Sequence, residues 1–191
     1  MADSKSTNIR RRHVRVWDLP VRVFHWLIVG LLVVSFVTGH VGGNAMRIHE
    51  LSGFSILTLV LFRLSWGFLG STHARFSSFV RGFAAARSYT AVLWSGSSAV
   101  YTGHNPLGGW MVVALLALAA AAGLSGWLSI TDRFWGVEWL QELHEALANM
   151  LYLFVGLHLA GVFFTSWRHR ENLVAAMMTG CKRAPGPGDV D

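Results

Sequence analysis

Two histidines in one apolar segment are the residues of this chain best suited to chemistry. His144 and His158 lie 14 residues apart in LHEALANMLYLFVGLHLAG. At about 100° per residue, those steps return to within roughly 40° of the start, so both imidazoles face one side of an α-helix. Along the axis they are roughly 21 Å apart. One helix therefore offers a nitrogen ligand near each surface of a hydrocarbon core of about 30 Å.

The composition is typical of a membrane protein. Of 191 residues, 53% are apolar and only 14% are charged, whereas a soluble domain carries far more charge. The net charge of +6 comes from arginines at the ends of long apolar blocks, which the positive-inside bias explains better than nucleic-acid binding. Cys181 is the single cysteine. An intrachain disulfide, covalent haem attachment and an iron–sulfur cluster held by this chain alone are therefore excluded.

Four long apolar stretches predict an all-α integral membrane protein, a four-transmembrane-helix bundle. The predicted helices cover about residues 21–41, 47–69, 106–130 and 141–167. Arginine-rich segments precede the first helix, separate the second from the third and follow the fourth, which predicts that both termini are cytoplasmic. We expect one domain over 1–178 and a disordered tail over 179–191. A short helix lying in the membrane interface is predicted between the second and third spans.

The alternating direction of the four helices places histidines at two depths. His25 lies near the cytoplasmic end of the first helix, and His158 reaches that depth on the fourth. His49 lies near the outer end of the second helix, at the depth of His144. We predict that each depth-matched pair ligates one haem iron axially, with His25 and His158 at the inner haem and His49 and His144 at the outer haem.

Simpler roles exist for these histidines. Any one of them could be a packing residue bonded to Ser, Thr or a backbone carbonyl. A proton relay or a transition-metal path is a further alternative, but no Asp or Glu lies deep in a span. His40 competes with His49, because it follows His25 by 15 residues and is offset from it by roughly 60°. On geometry alone, a His40–His144 pair stays open.

Arg63 interrupts the second apolar stretch. It follows His49 by 14 residues, so it faces the same side of its helix, and it lies at the depth of His25 and His158. A buried Arg in a membrane needs an anionic partner, and a propionate of the inner haem would serve. Snorkelling to the cytoplasmic headgroups is an equally good interpretation.

Several motifs resemble the bacterial cytochrome b561 family, which groups with the membrane cytochrome b subunits of nickel–iron hydrogenases. They are VWDLPVRVFHW, IHELSGFSILTLVLFR, GHNPLGG and HEALANMLYLFVGLH followed by RHRENL. The likeness covers about residues 14–178 and implies a four-helix bundle with two b-type haems. The ligands that it implies are His25, His49, His144 and His158. It favours His49 over His40, because the family's His-x-x-x-Gly pattern falls on His49 and Gly53.

The GHNPLGG motif adds one candidate site residue. The family that the chain resembles also shows His104 and Asn105 in this segment. One interpretation is that His104 contacts a quinone or a haem propionate. Helix capping by Asn105 is the simpler one.

These observations predict an electron carrier in the bacterial inner membrane. Ligation by two histidines closes both axial positions of a haem, which favours electron transfer over oxygen binding. The resemblance implies exchange between the quinone pool and a redox partner, such as a periplasmic c-type cytochrome or a dehydrogenase or hydrogenase subunit. Candidates for a quinone site on the cytoplasmic side are Trp17, Asp18, Arg63 and His104.

Two other functions compete with this prediction. The family includes members that oxidise superoxide and pass the electron to quinone. An outer face with more acidic than basic residues argues mildly against attracting an anion. A haem-free anchor that tethers a partner complex is the third hypothesis, and the paired histidines argue against it.

Overall fold

A computed structural model describes residues 13–94, 101 and 103–184, and its main feature is a set of four long helices. In chain order the elements are β1 (His13–Arg15), α1 (Leu19–Val41), α2 (Met46–Leu69), α3 (Phe76–Phe79), α4 (Phe83–Trp94), α5 (Pro106–Ser129), α6 (Glu138–His169), α7 (Leu173–Thr179) and β2 (Cys181–Arg183). The long helices α1, α2, α5 and α6 are apolar enough to cross a membrane. The predicted four-helix membrane bundle is confirmed, with helix ends that shift by a few residues.

The four spans pack in chain order, with α1 on α2, α2 on α5 and α5 on α6. Their shared core includes Phe24, Ile56, Val60, Leu116 and Leu151. Most other apolar side chains point outward, and in α6 only 6% of the most apolar stretch is buried within the protein. Such an outward apolar surface is suited to lipid.

Two spans begin with polar caps. Asp18 caps α1 by accepting a hydrogen bond of 2.9 Å from the Val21 amide, and Asn105 caps α5 by accepting one of 2.7 Å from the Gly108 amide. Each cap is followed by a proline in the first helical turn, where the missing N–H has no cost. Asn105 therefore has the capping role that was the simpler interpretation of its motif.

The two ends of the bundle differ. At one end β1 pairs antiparallel with β2, with Val14 opposite Lys182; we call this the sheet end. The opposite end carries the links 42–45 and 130–137, and we call it the link end. In the first link Gly42 and Gly43 have φ values of 64° and 55°, which favour glycine.

The expected disordered tail over 179–191 is wrong for its first residues. Cys181–Arg183 forms β2, and the Lys182 side chain is 7% exposed, with its Nζ 3.5 Å from a Glu171 carboxylate oxygen. Lys182 also donates a hydrogen bond of 2.9 Å to the Tyr101 carbonyl. Strand pairing and this buried ion pair order the segment, and residues 185–191 lie outside the described part of the chain.

Candidate functional site

The structure brings His49 of α2 and His144 of α6 together near the link end. Their ring centres are 6.0 Å apart and their planes are at 83°. Bonds between an imidazole nitrogen and a metal are about 2 Å long, so two histidines on opposite sides of one metal have ring centres roughly 6 Å apart. The spacing of this pair therefore fits axial ligation of a single iron.

The same hydrogen-bond pattern orients both rings. His49 Nδ1 donates to the Ser35 carbonyl at 2.9 Å, and His144 Nδ1 donates to the Ala122 carbonyl at 2.9 Å. A hydrogen bond from Nδ1 selects the tautomer and leaves Nε2 as the metal-binding nitrogen. Backbone carbonyls of α1 and α5 thus hold both rings in an orientation that leaves Nε2 free to bind a metal.

Each of these carbonyls lies one helical turn before a glycine. A Cβ on Gly39 would lie 3.0 Å from His49 Nδ1, and one on Gly126 would lie 2.8 Å from His144 Cε1. Because glycine has no Cβ, each ring can lie directly against the neighbouring helix. Neither glycine was predicted to have this role, although a glycine at the depth of a histidine on a facing helix is a signal for it in the sequence.

His40 lies apart from the link-end pair. Its side chain is exposed, and its Nδ1 bonds the Phe36 carbonyl of its own helix at 2.8 Å. Its ring also packs on the Phe36 ring with centres 4.3 Å apart. The structure therefore brings His49, and not His40, to His144.

His25 of α1 and His158 of α6 lie in the sheet-end half of the bundle. Both side chains are half-buried, and they are close enough for their charges to interact. The buried His25 Nδ1 has no hydrogen-bond partner in the described part of the chain. The two histidines lie on α1 and α6, and their role as ligands of a second haem stays a prediction.

Arg63 is buried in the sheet-end half, with 3% of its surface exposed. Its Nη2 donates a hydrogen bond of 3.0 Å to the Ala74 carbonyl, and its guanidinium lies 5.0 Å from the centre of the Phe76 ring. Its buried Nη1 has no partner among the described residues. The side chain is therefore turned into the protein and keeps one donor available for an anion.

His104 lies between two aromatic rings at the sheet end. Its ring centre is 4.6 Å from that of Trp17 and 4.7 Å from that of Phe79. Burial lowers the pKa of His104 to about 3, and the positive charges of Arg63 and Lys182 act in the same direction. The imidazole is therefore neutral near pH 7, and its buried Nδ1 lacks a partner in the described ranges.

Asp18 links α1 to α2 at the same end. Besides capping α1, its carboxylate accepts hydrogen bonds of 2.6 Å from Ser71 Oγ and 3.0 Å from Trp66 Nε1. Burial raises the pKa of Asp18, but the hydrogen bonds from Ser71, the Val21 amide and Trp66 outweigh burial and hold the pKa below its ordinary value. A carboxylate that accepts three hydrogen bonds in this way stabilises the contact between α1 and α2.

Unpaired polar atoms are concentrated in the sheet-end half. Over residues 13–94, 101 and 103–184, the buried side-chain nitrogens without a partner are Arg22 Nε, His25 Nδ1, Arg63 Nη1 and His104 Nδ1. Leaving such atoms unpaired is costly. A ligand with anionic or carbonyl oxygens, such as a haem propionate or a quinone, would accept from Arg63 and fits this region.

The side chains suit haem better than a bare metal ion. Within the described ranges, no group of three or more His, Cys, Asp or Glu residues could hold a metal ion. A porphyrin brings its own equatorial nitrogens, so two axial histidines suffice.

A sequence model of prokaryotic cytochrome b561 matches residues 16–180. This chain belongs to the prokaryotic cytochrome b561 family. As a member of this family with four helices apolar enough to cross a membrane, the chain is a haem-binding, multi-pass protein of the bacterial inner membrane.

A curated relative of this cytochrome is a probable Ni/Fe-hydrogenase B-type cytochrome subunit from Rhizobium leguminosarum bv. viciae. The two are 26% identical over 126 residues, and the match covers 52% of this chain and 52% of the relative. The chain thus spans about half the length of that relative. No solved structure matches the chain.

Proposed function

We propose that this cytochrome carries electrons across the membrane through two haems b. His49 and His144 bind the link-end haem, and His25 and His158 bind the sheet-end haem. The 6.0 Å between the His49 and His144 ring centres is the observation that carries the proposal. Bound haem would supply a one-electron carrier, and the two histidines of each pair would hold it and leave no place for other ligands.

The link end faces the outside in this proposal. Arg75, Arg81, Arg87, Arg168 and Arg170 belong to sheet-end segments, and cytoplasmic segments favour such residues. The link end instead carries the acids Glu50, Asp132, Glu138, Glu142 and Glu145. Both termini are therefore assigned to the cytoplasm. Reporter-enzyme fusions at residue 191 and within link 130–137 test this, since an active periplasmic reporter at residue 191 would reverse the orientation.

The acidic link end also bears on the redox partner. Exposed carboxylates outnumber the exposed Arg47 and Arg133 there, so this surface favours a basic protein over an anion such as superoxide. A basic c-type cytochrome, or a subunit of a dehydrogenase or hydrogenase, is the partner that we propose. The name of the hydrogenase-linked relative is consistent with the second kind of partner.

Quinone exchange is assigned to the sheet end. Among the residues that the structure describes, the buried Nδ1 of His104 has no partner. The positive charges of Arg63 and Lys182, and then that of His158, act on its ring. A neutral imidazole beside the sheet-end haem could bond a quinone carbonyl, and Arg63 could bond a haem propionate. Replacing His104 by Leu separates two roles: loss of quinone reduction with both haems retained supports a quinone contact, whereas an altered sheet-end midpoint potential supports a propionate contact.

Haem stoichiometry of the purified cytochrome tests the proposal most directly. A pyridine haemochrome assay should give two haems b per chain, and a visible-range redox titration should resolve two components. One haem per chain would disprove the two-haem path. Purified protein without haem, and unable to take up added haemin, would favour the membrane-anchor hypothesis.

A further inference from the structure

Ser35 of α1 touches the link-end ligand His49 with two of its atoms. Its carbonyl accepts the Nδ1 hydrogen bond of His49 at 2.9 Å, and its hydroxyl oxygen lies 3.3 Å from the same Nδ1. The serine is buried, with 9% of its surface exposed. Two acceptors of one residue therefore share a single imidazole N–H.

The hydroxyl of Ser35 differs from those of nearby span residues. Serine and threonine in a helix usually bond a carbonyl of the preceding turn, as Ser55 does with Leu51 at 2.8 Å and Thr58 does with Phe54 at 2.9 Å. Within the described ranges, Ser35 has no such bond to its own helix. The hydroxyl hydrogen of Ser35 is therefore available to an acceptor on another helix.

Tyr152 of α6 covers the turn of α1 that carries Ser35. Its hydroxyl donates to the Leu32 carbonyl at 3.3 Å and also interacts with the Ser35 side chain. Its ring meets the Phe36 ring edge-on, with centres 4.8 Å apart. Since Tyr152 gives its hydrogen to Leu32, its oxygen is left to accept from the Ser35 hydroxyl.

We propose that Tyr152 and Ser35 are positioning residues that tune the midpoint potential of the link-end haem. By accepting from the Ser35 hydroxyl, Tyr152 turns a lone pair of Ser35 Oγ toward His49 Nδ1. A second acceptor at Nδ1 makes the imidazole a more basic ligand. A more basic axial ligand favours oxidised iron, so this chain of contacts lowers the midpoint potential of the link-end haem. This inference rests on the proposed di-haem function.

The test is a redox titration of wild type, Tyr152→Phe, Ser35→Ala and the double variant. Each single change should raise the link-end midpoint, by about threefold to tenfold in the ratio of reduced to oxidised haem, the equivalent of one hydrogen bond. Tenfold corresponds to about 59 mV for one electron. The sheet-end midpoint should stay unchanged. The double variant should equal either single variant, because both act through one hydroxyl.

Two further variants complete the design. Ser55→Ala removes a hydroxyl that bonds only its own helix in the described structure, so it should leave both midpoints unchanged. Ser35→Thr restores the hydroxyl and should restore the wild-type midpoint. The link-end component is assigned as the one missing from His49→Ala, and electron paramagnetic resonance of the oxidised haem reports altered ligation independently of activity.

The outcomes of these experiments distinguish failure of this inference from failure of the proposed function. Wild type without two haems overturns both. Three results with two haems bound overturn only the tuning role of Tyr152 and Ser35. They are equal shifts of both midpoint potentials, additive shifts in the double variant, and no shift at all. If Tyr152→Phe cannot be purified, Ser35→Ala and Ser35→Thr decide the question, since both leave the Tyr152 contacts with Leu32 and Phe36 in place.

Discussion

His49 and His144 come from helices that are not neighbours in the packing order, yet their ring centres are 6.0 Å apart. Each ring rests on a different intervening helix, His49 on α1 through Ser35 and His144 on α5 through Ala122. All four spans therefore contribute to one site. A local change in any span at this depth should be visible in the link-end haem.

Replacing His49 by Ala should remove one of two haems, because the change deletes an axial ligand. His40→Ala is the matched control, since His40 bonds the Phe36 carbonyl of its own helix and is exposed. We expect about one haem per chain in the first variant and two in the second, measured by pyridine haemochrome. Loss of haem from His40→Ala with retention in His49→Ala would move the outer ligand to His40.

Gly126→Ala should weaken the binding of the link-end haem without unfolding the bundle. The added Cβ would lie 2.8 Å from His144 Cε1, so the imidazole must move from its place against α5. Disturbing the support of a metal ligand typically weakens metal binding by about 10–100-fold. Haem titration of the apoprotein measures this loss.

The control for that change is Gly156→Ala in α6, where a Cβ meets nothing within 4 Å. It should bind haem as wild type does. Equal haem affinity in Gly126→Ala and wild type would show that His144 does not need this close approach.

Arg63→Gln should lower the midpoint potential of the sheet-end haem. The guanidinium is a buried positive charge, and a nearby cation favours the reduced, less positive iron. At an effective dielectric of about 20, a unit charge roughly 10 Å away contributes about 1.7 kcal/mol to the redox free energy. Spectroelectrochemistry should show the shift in one component only.

Arg75→Gln provides the comparison, because Arg75 belongs to the same end but is exposed, and solvent screens its charge. Arg75→Gln should leave both potentials near their wild-type values. Matching shifts in the Arg63 and Arg75 variants would mean that general surface charge, and not a buried contact, sets the potential.

Asp18→Ala should destabilise the bundle by about 1–3 kcal/mol, through loss of the α1 cap and of the bonds from Ser71 and Trp66. Because the pKa of Asp18 lies below its ordinary value of 3.8, its stabilising contribution is present above that pH and is lost as the pH falls further. Thermal melts in detergent should therefore separate wild type from Asp18→Ala at pH 7 and converge in stronger acid. A gap that stays constant into strong acid would argue against a charged tie.

The helices and their ends could be predicted well because the signals are local. An apolar stretch long enough to span lipid, a cap such as Asn105 and a proline after it are readable without any partner helix. The tail was predicted poorly, because the order of Cys181–Arg183 comes from pairing with residues at the other end of the chain.

The sequence by itself determined that four helices span the membrane and that histidines occur on them at two depths. Helix rise and membrane thickness are enough for that, since both depend on position along one chain segment. Only the tertiary structure decided that His49 rather than His40 meets His144, that Ser35 and Ala122 accept from their rings, and that Tyr152 reaches Ser35. These contacts depend on how each helix is rotated and tilted against its neighbours, and packing between distant segments sets that rotation.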